Sequence, residues 1–394
     1  MALISYRQAP FVAVALVLAA CAATDPAILE GDARGVGIGA AGVPATAPGG
    51  ESAAPPTAAL PEGAVDDEPG LAVVPAGGAP ISSEKNGEVT MVLHEGVLLG
   101  VEEVDGRWIR TITPCGRDAW ARRADLDITQ RADRAVPGPG FDLTAASIIV
   151  DPGHGGRDWG GVGDSISEKG TNLDIAERLR SLLLSSQQVD WATGELGSGD
   201  TVAAAGAVWL TRERPGPNDG DIELSLGYRA AVANGAGADV FVSIHNNTVP
   251  KRTLDHPGTE VFYSVGSDGS DRLAGLLYDE VVRSLAAFDA AWQGGDELGA
   301  RARTDPATGD DYYGVLRRAE MPAAIVEGAY ISEPAEEALI ATEAFRQAYA
   351  EGVYRGIVRF LTTDDSSDSI NPPQPFPDDA GTVNTDACVD PVQP

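Results

Sequence analysis

From residue 147 onward, short apolar runs alternate with longer stretches of helical periodicity. Strands are expected at Ser147–Val150, Ala207–Thr211, Val240–Ile244, Gly258–Val265 and Ala323–Val326, and helices at Asn172–Ser185, Leu224–Asn234, Asp271–Ala287 and Thr342–Phe360. This alternation predicts an α/β fold over residues 142–362, a mixed, mostly parallel sheet flanked by helices. Over residues 86–130 the apolar period shortens. Met91, Leu93, Val97–Val101, Trp108, Ile109, Ile112, Ala119 and Trp120 alternate around an Asp105-Gly106 turn signal. That pattern predicts a small all-β, barrel-like domain ahead of the α/β region.

The flanks read differently. Arg7 precedes an apolar run, Phe11–Ala20, too short to span a bilayer but suited to an export signal. It ends in L-A-A-C at Leu18–Cys21, which resembles the lipobox of bacterial lipoproteins, so residues 1–21 are read as a lipoprotein-type signal with Cys21 as the acylated residue. Residues 22–85, rich in Ala, Gly and Pro, read as a disordered tether, and residues 363–394 as an acidic flexible tail. The net charge of -31 lacks the clustered Lys and Arg that a nucleic-acid surface needs, which excludes that partner.

Candidate chemistry collects at strand and helix ends. D-P-G-H-G-G at Asp151–Gly156, S-I-H-N-N at Ser243–Asn247 and V-E-G-A-Y at Val326–Tyr330 each follow an apolar run. Two histidines and carboxylates converging beyond strand ends are the parts of a hydrolytic metal site. Taken alone, a histidine after a strand serves equally as a hydrogen-bonded loop residue, and Glu168 equally as a favourable charge in a first helical turn. Asp151 and Asn172 are candidates for orienting the ligands, with turn formation and helix capping as competing roles.

Together with S-E-K-G-T-N-L at Ser167–Leu173, L-T-R at Leu210–Arg212, Y-R-A-A-V-A-N at Tyr228–Asn234, D-V-F-V-S-I-H-N-N at Asp239–Asn247 and M-P-A-A-I-V-E at Met321–Glu327, these segments resemble the zinc-dependent N-acetylmuramoyl-L-alanine amidases, collinearly over roughly 220 residues. The resemblance implies Zn2+ as cofactor, with His154, Glu168 and His245 as its ligands and Glu327 as the catalytic carboxylate. It implies peptidoglycan as substrate and cleavage of the amide between N-acetylmuramic acid and the L-alanine of the stem. Arg212 and Arg229 match family arginines and are read as loop-fixing. A catalytically silent or autoinhibited wall-binding regulator and a zinc peptidoglycan peptidase are the alternatives. Residues 86–130 resemble a bacterial Src-homology-3-like domain through Asp105–Ile109 and Gly116–Ala121, where Trp108 and Trp120 either pack a small core or line a wall-peptide groove. No activator or regulatory protein is named by the sequence.

Trp159 stands where the family commonly has proline, and the stretches 187–206 and 289–310 are long enough for lids or binding loops. His94 reads as a surface residue, and His256, in a loop close after His245, as a candidate to border the cleft. With Cys21 acylated, Cys115 and Cys388 remain, and in an exported protein such a pair commonly forms a disulfide. The expected location is the cell envelope, with a lipid anchor on the outer side of the cytoplasmic membrane. Cys21→Ser is therefore expected to leave the protein soluble or unprocessed while the wild type partitions with membranes. N-terminal sequencing of the mature chain checks this, and a start anywhere but Cys21 overturns it.

Overall fold

Residues Ser147–Pro152 are buried at every position, as in a strand covered on both faces. In the computed structural model, which describes residues 70–130, 136–213, 222–249, 258–288, 299–376 and 388–392, this strand belongs to a six-stranded sheet. The order is Ala207–Leu210, Ser147–Pro152, Val240–Asn247, Ala323–Tyr330, Glu260–Tyr263 and Ala300–Arg301. The first four strands run parallel. Glu260–Tyr263 then pairs antiparallel to Ala323–Tyr330, so the sheet is mixed and mostly parallel.

Alternation along these strands sends successive side chains to opposite faces. Ile148, Val150, Val242, Ile244 and Val326 pack under the helices Glu168–Leu183, Ser270–Leu285 and Glu343–Thr362. Ile149, Phe241, Phe262 and Ile325 face the other way, onto the helix Leu226–Ala236. That second face is closed by the N-terminal β region, whose Leu71, Leu99 and Ile109 lie in the same core. The region is therefore fused to the α/β layer. Its contact with the helix is backbone to backbone: a Cβ on Gly100 would lie 1.9 Å from the Ala231 carbonyl oxygen. The buried Tyr228 hydroxyl donates to the Leu98 carbonyl at 2.6 Å.

The β region consists of a five-stranded sheet, in the order Val89–Leu93, Ala79–Ser82, Asp118–Arg122, Trp108–Ile112 and Glu103–Asp105, and a three-stranded sheet, Leu98–Gly100, Gly70–Val73 and Asp127–Gln130. The hairpin at Asp105-Gly106 forms as expected, with Asp105 opposite Trp108 and Gly106 in the left-handed region. Two strands, Gly70–Val73 and Ala79–Ser82, lie inside the stretch 22–85 read as tether. Their Ala, Gly and Pro content hides them from composition, but each gains antiparallel partners far along the chain, and sheet context overrides weak local preference. Trp108 is buried, with the Arg107 and Arg122 guanidinium groups over its ring, and Trp120 is half-buried.

The tail is also tied down where it is described. Cys115 and Cys388 are disulfide-bonded. The buried Asp390 accepts from the Cys115 backbone N–H at 2.8 Å and pairs with Arg117. His94, half-buried, donates its backbone N–H to the Pro391 carbonyl, while Gln374–Pro375 pairs with Arg303–Thr304. The stretch 187–206, expected as a lid or binding loop, holds a hairpin, Gln187–Val189 with Asp200–Val202. It packs against the helical layer through Trp191, whose carbonyl accepts from Arg283. No helix among the described residues is long and apolar enough to cross a membrane. Cys21, the rest of the signal and tether, and His256 lie outside the described residues.

Because the β region and the α/β layer share one core, unfolding is expected to be a single transition. Gly100→Ala, forced against the Ala231 carbonyl, is expected to cost about 1–3 kcal/mol. Denaturant melts followed by far-ultraviolet circular dichroism and by tryptophan fluorescence check both points; two separate transitions would show that the β region folds on its own.

Candidate metal centre

The strand Ser147–Pro152 runs into a glycine-flanked loop, and His154 there adopts a left-handed backbone, φ 62°. A non-glycine residue in that region is held against a local cost of about 1 kcal/mol. Two buried arginines do the holding. Arg212 donates to the carbonyls of Pro152 (3.1 Å) and Gly153 (2.9 Å), and Arg229 to those of Pro152 (3.0 Å) and His154 (2.7 Å). Arg229 is itself neutralised by Asp151 at 2.5 Å, and Asp151 also accepts from the hydroxyls of Thr211 and Ser243. Burial opposes ionisation of Asp151, but Arg229 and the two hydroxyls outweigh it and lower its pKa. Asp151 thus acts on the site through Arg229 and does not touch the histidines.

Glu168 opens the helix Glu168–Leu183, four residues earlier than the periodicity predicts, and the helix dipole favours a carboxylate there. Its side chain is buried. One oxygen accepts from the Gly161 N–H at 2.6 Å; the other accepts from the Asn246 N–H at 3.2 Å and from Asn172 Nδ2 at 3.3 Å. That second oxygen also faces His154 Nε2 at 3.1 Å and His245 Nδ1 at 2.9 Å. His245 comes from the end of Val240–Asn247, and its ring centroid lies 4.9 Å from that of His154. Asn172 in turn accepts from Asn246 Nδ2 at 2.9 Å, so its place is beneath the carboxylate and not at a helix cap.

Ligand atoms of His154, Glu168 and His245 all lie within 4.8 Å of one another. Two imidazoles and one carboxylate are a donor set suited to zinc, and glycines let the backbone pack closely against them. A Cβ on Gly153 would lie 2.2 Å from the His245 ring, and one on Gly160 would lie 2.5 Å from both Glu168 and His154. The residues present fit such an ion.

Glu327 stands beside His245 in register on the next strand. Its Oε2 is shielded from solvent and meets no hydrogen-bond partner. Burial, with the Glu168 charge adding to it, pushes its pKa up to about 8. Burial works the other way on His154, but hydrogen bonds and charge from Asp158 and Glu168 prevail and raise it to about 10. The same imidazole contacts lower Glu168 against its own burial.

Two contributors escape the sequence reading. Asp158 takes the other ring nitrogen of His154, Nδ1, at 2.9 Å, the carboxylate–histidine pairing that fixes a ligand's tautomer; the four-residue spacing in H-G-G-R-D was its only signal. Tyr349, from the helix Glu343–Thr362, presents its hydroxyl to the carbonyls of Val326 (2.8 Å) and His245 (3.1 Å). No local pattern marks it.

The family model described as N-acetylmuramoyl-L-alanine amidase matches residues 148–359. Over 222 residues the chain is 26% identical to the germination-specific N-acetylmuramoyl-L-alanine amidase of Bacillus subtilis, covering 56% of this chain and 81% of that one. It is 30% identical over 217 residues to the endolysin of Bacillus phage SPP1, covering 54% of this chain and 65% of the endolysin. The crystal structure of an N-acetylmuramoyl-L-alanine amidase from Clostridium difficile aligns with a TM-score of 0.42 at 27% identity, over 56% of this chain and all of that one.

A metal bound by these groups must displace protons from the imidazoles. Since the pKa of His154 is raised to about 10 in the metal-free site, proton competition persists above the ordinary histidine range. Zinc affinity is therefore expected to keep rising from about pH 7 to about pH 9, and His245→Ala to abolish binding. Competition against a chromophoric chelator measures both; an affinity that levels off just above neutrality overturns the first.

Proposed function

This chain belongs to the N-acetylmuramoyl-L-alanine amidase family and is by that membership a peptidoglycan amidase, and we propose that it hydrolyses the amide between the lactyl group of N-acetylmuramic acid and L-alanine at a zinc site formed by His154, Glu168 and His245, with Glu327 as proton carrier. The observation that supports this most is the meeting of those three candidate ligand atoms, with the half-buried Glu327 in register beside His245 and its shielded Oε2 without a hydrogen-bond partner. Zinc held there supplies Lewis acidity at neutral pH. Every other step falls to the chain's own groups.

Asp158 holds the His154 ring through Nδ1, and the backbone N–H groups of Gly161 and Asn246 hold the Glu168 carboxylate. Neither group has to reorganise during the reaction. Glu327 Oε2 takes the proton of the attacking water and returns it to the departing amine nitrogen. Burial raises the proton affinity of this carboxyl, which suits a group that takes up a proton and hands it on.

We place the enzyme outside the cytoplasm, lipid-anchored through Cys21. The bond between Cys115 and Cys388 supports an oxidising compartment.

Mass spectrometry of muropeptides after incubation is the test: whole stems separated from glycan are expected, whereas cuts within the stem would favour a peptidase. Glu327→Gln keeps the shape and removes the base. It is expected to retain zinc while kcat falls by about 10² to 10⁴; loss of the metal in that variant would make Glu327 a ligand.

A further inference from the structure

The loop between His154 and Glu168 carries the only aromatic among the large apolar side chains that the described residues leave exposed. Trp159 is 55% exposed, and Val162, three residues on, is 66% exposed. An indole left open to solvent on the loop that joins two residues of the candidate metal centre is placed to meet whatever enters it.

Three contacts fix the Trp159 backbone against the metal site. Asp158, the preceding residue, bonds His154 Nδ1. Gly160, the following one, donates to Asp158 Oδ1 at 3.1 Å and lies so close that a Cβ there would meet both Glu168 and His154. The Trp159 carbonyl accepts from the Lys169 N–H at 3.2 Å. The backbone that carries the indole is thus pinned between residues that contact His154 and Glu168. Lys169 Nζ sits 3.8 Å over the ring while donating to the Gly156 carbonyl at 2.5 Å. A cation covers one face of the indole, and the exposure that is left belongs to the rest of the ring.

Resting on the amidase reading, we propose that Trp159 is a sugar-binding platform that receives the pyranose ring of the N-acetylmuramic acid whose lactyl amide is cut. The carbonyl to be attacked is only a few bonds from that ring, so a sugar must lie beside the metal site when the amide is in it. Pyranose rings present a face of C–H groups, which an indole covers well. A stem peptide arrives instead with carboxylates, which this ring does not recognise.

The test uses zinc-loaded full-length protein and two probes: glycan strands freed of their stems, and free stem peptide. Stem-free glycan is expected to change the wild-type tryptophan fluorescence saturably, an effect absent in Trp159→Ala. In steady-state assays on intact glycan strands, Trp159→Ala is expected to raise KM about tenfold with kcat and zinc content little changed. Trp159→Phe is expected to recover most of the loss. Equal KM and equal glycan binding in wild type and Trp159→Ala overturn the platform, as does a fluorescence change produced by free stem peptide but not by glycan. If the wild type releases no stems, the amidase reading fails, and the fluorescence titration still decides whether Trp159 holds sugar.

Discussion

Arg229 and Asp151 meet at 2.5 Å with their side chains almost wholly excluded from solvent. Removing either partner would strand a charge in the interior, a loss of about 3–5 kcal/mol. The pair matters because of what it joins. Asp151 ends a central strand; Arg229 belongs to the helix that carries the N-terminal β region on its other side. The guanidinium then reaches the carbonyls of Pro152 and His154, and so fixes the backbone of a residue that would not choose a left-handed conformation unaided. Sheet, helix, β region and metal site are registered to one another through this contact.

The remaining order of the site is layered on that registration. Arg212 holds the same loop from the opposite flank, and Asn172 and Asn246 support the Glu168 carboxylate from below. Each group is held by backbone or by a buried partner, so the geometry does not depend on solvent. In a chain with 59 acidic and 28 basic residues, several arginines are spent in the interior: Arg212, Arg229 and Arg355 are all buried. More acids than arginines are buried with them, Asp151, Glu168, Glu260, Glu280 and Asp390 among them, so the interior is itself a place of paired charge.

Much of this was legible from residues alone. The apolar strands gave the α/β class, and the positions of His154, His245 and Glu327 at strand ends gave the convergence that the structure places in one site. Periodicity ended the strand at Val326, but hydrogen bonding carries it to Tyr330, because glycine and alanine continue a strand without adding apolar pattern. It also missed the short helix Pro334–Ile340. The strands at 70–82 were hidden because their stability comes from partners remote in sequence, and Tyr349 because a hydroxyl reaching two carbonyls from a distant helix leaves no local trace. What sequence conceals here is tertiary in origin.

The bond from Cys115 to Cys388, 273 positions apart, turns nearly the whole α/β region into a closed covalent ring. A linear chain cut once comes apart into two fragments. In this one, a single backbone cut anywhere between the two cysteines leaves both pieces attached to each other, and attached to whatever the N-terminus holds. For an exported enzyme, a backbone nick and the loss of a fragment become separate events.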